Sequence, residues 1–124
     1  MQIKEVQFEN IKHFASRASK ERVAIKPTQN TMWFALSLNE IVVGCTALYL
    51  GKKKCRIKGD FVMPNYRGQG LGKLSVETRL DIAKKLGYKS IEVYTLHPKY
   101  YTSLGFTIHK ELRKGVWIAD YELV

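Results

Sequence analysis

The stretch best equipped for chemistry reads Val-Met-Pro-Asn-Tyr-Arg-Gly-Gln-Gly-Leu-Gly-Lys at residues 62–73. It follows an extended apolar run and opens a helical one, so it belongs at a strand-to-helix turn. A helix start carries unpaired backbone N–H groups and the positive end of the macrodipole. Glycines at 68, 70 and 72 remove the Cβ atoms that would keep a ligand off that backbone. The combination predicts an anion cradle, with phosphate as its ligand. Spacing excludes two familiar versions. A P-loop needs glycine where Arg67 stands and Ser or Thr where Leu74 stands, and a dinucleotide fingerprint needs glycine at Lys73.

What remains is Arg-x-x-Gly-x-Gly (Arg67, Gly70, Gly72) preceded by Val-x-Pro-x-Tyr. Downstream, Tyr101-Thr-Ser-Leu-Gly-Phe106 gives a second pattern, Tyr-x-x-x-Gly-Phe, in the same order. Together these resemble the coenzyme A loop and the closing motif of the GCN5-related N-acetyltransferase (GNAT) family, over a region from about Met32 to the end of the chain. The resemblance implies an acyl-CoA N-acyltransferase fold, acetyl-CoA as donor, and direct attack of an amine on the thioester in a ternary complex.

Acyl transfer needs the donor held, its carbonyl polarised, the amine deprotonated and the leaving thiolate protonated. For holding, the backbone of Gly68, Gln69, Gly70, Leu71, Gly72 and Lys73 would take the pyrophosphate, with Arg67 and Lys73 adding charge. For polarising, the resemblance implies main-chain amides of Phe61, Val62 and Met63, freed where the strand bulges away from its neighbour; Gly59 is compatible with such a bulge. For protonating, it implies Tyr101, a phenol with an ordinary pKa near 10 that stays protonated at neutral pH, with Tyr100 beside it able to take either role. The family often carries asparagine at the start of this helix, and here Leu96-His97-Pro98 stands instead. For the base the residues themselves suggest Asp60, or His97 close to the candidate acid, histidine being a common general base; Glu92 and Tyr94 follow, and a neutral amine would need none. Arg56, Lys58 and Asp60 share the parity of Val62 and so one face of an unbulged strand. Two cations there favour an acceptor bearing carboxylate or phosphate, unless Asp60 and Glu92 neutralise them.

These groups need a frame. Residues 2–8 read as a first strand, and Asn10 can cap a helix to Arg22 with Ile11, Phe14, Ala15 and Ala18 on one face. Alternation predicts strands at 32–38, 41–50 and 55–62, turning at Asn39-Glu40 and at 51–54. After the cradle a helix runs to about Leu86, burying Leu71, Leu74, Thr78, Ile82, Ala83 and Leu86, with Gly87 ending it. A strand at 89–95 follows by a helical crossover and is expected parallel to 55–62; a short helix at 98–104 and strands at 106–110 and 116–123 complete the chain. The order β-α-β-β-β-α-β-α-β-β predicts one α/β domain over residues 1–124, with a mixed, mostly antiparallel sheet flanked by helices. The family's second N-terminal helix is missing or reduced to a loop at 26–31.

At 124 residues the chain suits one core, with no 18-residue apolar run and no basic-then-apolar leader, so a cytoplasmic protein without a membrane span is expected. Cys45 and Cys55 fall in apolar runs and read as reduced core thiols, and no His/Cys spacing suggests a metal. The net charge of +10 admits nucleic acid as a partner, although the cations are dispersed. The alternatives to an enzyme acting on a small-molecule or protein amine are therefore a nucleic-acid-directed relative and a non-catalytic CoA-binding module.

Overall fold

The computed structural model describes all of residues 1–124. Its centre is a meander of three strands, β2 (Thr31–Leu38), β3 (Ile41–Leu50) and β4 (Cys55–Val62), at the expected boundaries. Asn39 and Glu40 both have positive φ, 49° and 69°, the hand a two-residue hairpin needs to follow the twist of its strands. β1 (Gln2–Val6) adds to β2, and β5 (Ser90–Thr95), β7 (Val116–Glu122) and β6 (Thr107–Arg113) extend the other side, giving the order β1-β2-β3-β4-β5-β7-β6. Every neighbouring pair is antiparallel except β4 and β5. That pair is joined through a helix, and a helical crossover returns the chain in the same direction.

Helices α2 (Leu71–Lys85) and α3 (Pro98–Ser103) cover one face. There Val76 and Ala83 of α2 and Tyr101 of α3 pack with Phe34, Leu48 and Ile57. The N-terminal segment covers β2 to β4 on the opposite face, setting Ile11, Phe14 and Ala18 against Trp33, Cys45 and Phe61. Cys45 and Cys55 are free thiols in these layers. No helix is long and apolar enough to cross a membrane.

Two expectations are corrected. The first helix is broken into 3-10 turns at Phe8–Asn10 and Lys12–Phe14 followed by a short α1 (Ala15–Ser19), and Asn10 caps nothing. The spacing accords with this: Phe8, Ile11 and Phe14 recur every third residue, and side chains at i and i+3 stack directly in the three-residue turn. On α2 the buried positions are Leu71, Ser75, Val76, Arg79 and Ala83, whereas Leu86 is 55% exposed and Leu74, Thr78 and Ile82 are only half-buried. The helix has turned two polar residues inward. Residues 23–30 hold no helix, so the end of the sheet beside them is walled only by a loop anchored through Ile25.

Candidate active site

β4 runs through a 3-10 turn (Pro64–Tyr66) into α2, with Gly70 as its N-cap at φ 90° and Gly68 at φ 78°. The first helical bond is donated by Leu74 to the Gly70 carbonyl, at 3.1 Å. The N–H groups of Gly68, Gln69, Gly70, Leu71, Gly72 and Lys73 donate to no acceptor in the protein. A Cβ at Gly68 would meet nothing within 4 Å, and one at Gly70 would approach only the Met1 side chain, at 3.7 Å. At Gly72 it would stand 2.9 Å from the Tyr100 hydroxyl, so this glycine admits the tyrosine against the first turn of the helix. Six successive amides without acceptors at a positive helix end fit a diphosphate.

The sheet opens beside this turn. β4 and β5 pair only from Cys55/Ile91 to Ile57/Val93; beyond that β5 stays with β7 and β4 stays with β3. A bulge sits where the two part. Ala47 pairs with Lys58 and Cys45 with Phe61, so Gly59 and Asp60 together oppose Thr46. Gly59 has φ 66°, and a Cβ there would lie 2.8 Å from the Trp33 ring.

The bulge resets the parity of the strand. Lys58 and Phe61 end on the face of the N-terminal segment and Asp60 on the face of α2, so the expected row of Arg56, Lys58 and Asp60 does not exist. The expected set of free amides is also corrected. Met63 donates to the Val43 carbonyl at 2.8 Å, and alternation points the Phe61 amide to β3 as well. Val62 alone of the three directs its backbone to the open edge, where its carbonyl accepts from Arg67 Nε at 2.7 Å.

Asp60 meets a residue that periodicity had not singled out. Arg79, 1% exposed, grips both carboxylate oxygens, Nη1 to Oδ1 at 2.6 Å and Nη2 to Oδ2 at 3.0 Å. Its other donors go to the Ser75 carbonyl and hydroxyl and to the Ala47 carbonyl. The Tyr101 hydroxyl donates to Asp60 Oδ2 at 3.3 Å. Tyr101 is 6% exposed, edge-on to Phe106, and burial first and the Asp60 charge second hold its phenol well above the usual 10.0. Such a hydroxyl is protonated, and so a donor, at neutral pH. Tyr100 differs, being 41% exposed and turned to the cradle. The signal that could have revealed Arg79 is its position: a lone arginine on the stripe that Leu71, Val76 and Ala83 define.

One cavity of about 1010 Å³ joins these parts. It is lined by Gly68, Gly70, Gly72 and Lys73 of the cradle, by Asp60, Thr46 and Tyr101 where the strands part, and by Arg22, Arg56, Lys58 and Arg113. Thr46 Oγ1 is buried on its wall without a partner, which suits a polar ligand reaching past the bulge. His97 precedes α3 and borders the same space; its backbone is bonded to Thr95 and to the Tyr100 and Tyr101 amides, while its imidazole bonds to nothing. The Arg67 guanidinium, expected at the cradle, is instead bonded to Glu21, at 2.7 Å to each oxygen, and tethers the N-terminal segment across the cavity. Arg56 is held by Glu92 (2.9 Å) and lies over Tyr94. Lys58 bonds only the Thr28 hydroxyl, at 3.2 Å, and burial first and Arg56 second lower its pKa. Arg22 and Arg113 have no carboxylate partner.

The same architecture recurs in solved structures of low sequence identity. Rv2747 from Mycobacterium tuberculosis, in complex with CoA, superposes with a TM-score of 0.81 at 15% identity over 100% of both chains. A GNAT family acetyltransferase from Elizabethkingia anophelis with acetyl-CoA bound gives 0.74 at 16%, covering 98% of this chain and 97% of that one. The PaiA N-acetyltransferase from Thermoplasma acidophilum, in complex with coenzyme A, gives 0.79 at 13% over 98% of each. At such identities the likeness is one of fold. No curated protein matches by sequence. The model of the acetyltransferase (GNAT) family, however, matches residues 3–106, from the first strand through the Tyr-x-x-x-Gly-Phe ending. A match over that much of the chain shows that this protein belongs to the GNAT family of acetyltransferases and is an acyltransferase.

Proposed function

We propose that the protein acetylates a small primary amine that also carries a carboxylate or phosphate, with acetyl-CoA as donor. The observation that carries the reading is the make-up of the cavity: six unbonded amides at the start of α2, and Lys58, Arg22 and Arg113 on the lining with no carboxylate to pair them. Acetyl-CoA supplies the activated acyl group. The backbone of residues 68–73 holds its diphosphate with Lys73 alongside, and the Val62 amide faces the gap where the acyl carbonyl is to be polarised.

Tyr101 is the general acid, because its hydroxyl borders the cavity and burial keeps it protonated. Asp60, partly exposed to the cavity, is the group that takes the amine proton, with His97 on the same lining as the alternative. The cavity repels cations. The only acids lining the cavity, Glu21 and Asp60, are engaged by Arg67 and Arg79. A polyamine or basic peptide would therefore meet uncompensated positive charge, and an anionic amine would relieve it.

Thiol release from acetyl-CoA with glutamate, β-alanine, O-phosphoethanolamine, spermidine and phenethylamine tests this. The anionic amines are expected to turn over at least about tenfold faster, and Lys58→Ala to raise their KM about tenfold without changing that for acetyl-CoA. Spermidine as the best acceptor would refute the anionic class, and absence of CoA binding by calorimetry would refute acetyl transfer. Salt-dependent retention on DNA would favour a nucleic-acid acceptor instead.

A further inference from the structure

Behind the cavity lies a charge that binding and polarisation do not explain. Arg79 is buried in the middle of α2 and lines no part of the cavity. A buried ion pair adds little net stability, because desolvation offsets most of the attraction, and an apolar residue of like volume would pack as well. What the arginine contributes is geometry. Its planar fork takes both Asp60 oxygens, Nε and Nη2 tie it to Ser75 on its own helix, and Nη1 reaches the Ala47 carbonyl on β3 beside the bulge. Helix, bulge and carboxylate are thereby locked together, with Asp60 Oδ2 left facing the Tyr101 hydroxyl.

We propose that Arg79, Asp60 and Tyr101 form one proton-transfer unit. Asp60 and Tyr101 are its catalytic residues, and Arg79 is the positioning residue that holds the carboxylate against the phenol. In one turnover the attacking amine loses a proton to an Asp60 oxygen. The Tyr101 O–H bond breaks as its proton leaves for the departing sulfur, and the proton on Asp60 crosses to the Tyr101 oxygen. Both residues finish in their starting forms, and the net movement is one proton from amine to leaving group, so no further reactant is needed. The inference rests on the acetyl transfer proposed above, and the first measurement below is independent of it.

That measurement follows Tyr101 ionisation in ligand-free protein by ultraviolet difference absorbance against Tyr101→Phe. Asp60→Asn is expected to lower the transition by about one pH unit or more, because it deletes the adjacent negative charge. If stranding Arg79 prevents that variant from folding, Asp60→Asn/Arg79→Met, which buries no unpaired charge, is titrated against Arg79→Met alone, so that only the carboxylate differs between the two. An unchanged transition overturns the coupling.

The second measurement is thiol release from acetyl-CoA with the best amine of the panel. Arg79→Met and Tyr101→Phe are each expected to lower kcat by about 30- to 100-fold with KM for acetyl-CoA within about threefold. The double variant should fall no more than about threefold below the worse single, because the residues act as a unit. Arg79→Lys, which cannot fork onto both oxygens, should recover at most about a tenth of the wild-type rate. Losses that multiply, or a raised KM with kcat unchanged, overturn the proposal. Calorimetric CoA binding separates the two ideas: its absence in the wild type removes acetyl transfer while the titration still reports on the three side chains.

Discussion

Asp60→Ala should destabilise the protein more than Arg79→Met, although both remove the same ion pair. The two partners differ in what surrounds them. The Arg79 side chain is 1% exposed and the Asp60 side chain 35%. Asp60→Ala strands a guanidinium that has no route to solvent, deletes two of its five hydrogen bonds and leaves it only the neutral oxygens of Ser75 and Ala47. A buried charge left alone in this way costs about 3–5 kcal/mol. Arg79→Met leaves a carboxylate that already borders the cavity and keeps the Tyr101 hydroxyl, while the methionine refills most of the volume. The remaining loss is the donor to the Ala47 carbonyl and the contacts to Ser75, about 1–2 kcal/mol. For a domain of this size about 3–5 °C accompanies each kcal/mol, so melting temperatures should fall by about 10–20 °C for Asp60→Ala and about 5 °C for Arg79→Met. Urea unfolding with unchanged m-values gives the free energies directly. Equal effects, or a larger one for Arg79→Met, would mean that water reaches the guanidinium, and the buried-charge reasoning fails.

Three further outcomes follow from the geometry. Gly59→Ala combines a positive φ of 66° with a Cβ 2.8 Å from the buried Trp33 ring; it should cost about 3 kcal/mol in urea unfolding, and a cost below about 1 would place the bulge elsewhere. Gly70→Asp has room for its side chain but sets a carboxylate on the cradle; CoA affinity by calorimetry should weaken at least about 100-fold against a stability loss of only about 1–2 kcal/mol, and unchanged binding contradicts the cradle. Burial pushes the Cys45 thiol from 9.0 to about 12 and Cys55 to about 11. Both folded values lie above the unfolded one, so this stability is whole below pH 9 and declines as the pH rises, by about 1.4 kcal/mol per pH unit for each thiol until its folded value is reached. Urea midpoints that stay level from pH 9 to 11, or that fall just as steeply in Cys45→Ala/Cys55→Ala, would refute that origin.

Local signals determined much of this protein. The Arg-x-x-Gly-x-Gly turn, the three alternating strands before it, the capped helix after it and the Tyr-x-x-x-Gly-Phe ending are each set by short-range rules: glycine freedom, side-chain period and helix termini. They were legible for that reason, and so was the parallel crossover, which chain connectivity enforces. What depended on distant residues was not. The bulge at Gly59 moved Asp60 to the opposite face from Lys58, because where an extra residue falls is decided by the partner strand and by Trp33 beneath it. Arg79 entered the core because a carboxylate waited 19 positions away in sequence, and Arg67 left the cradle for Glu21, 46 positions away. Charge pairing over such separations has no local period to read, so the Arg79–Asp60 pair emerged only when the sheet and α2 were packed together.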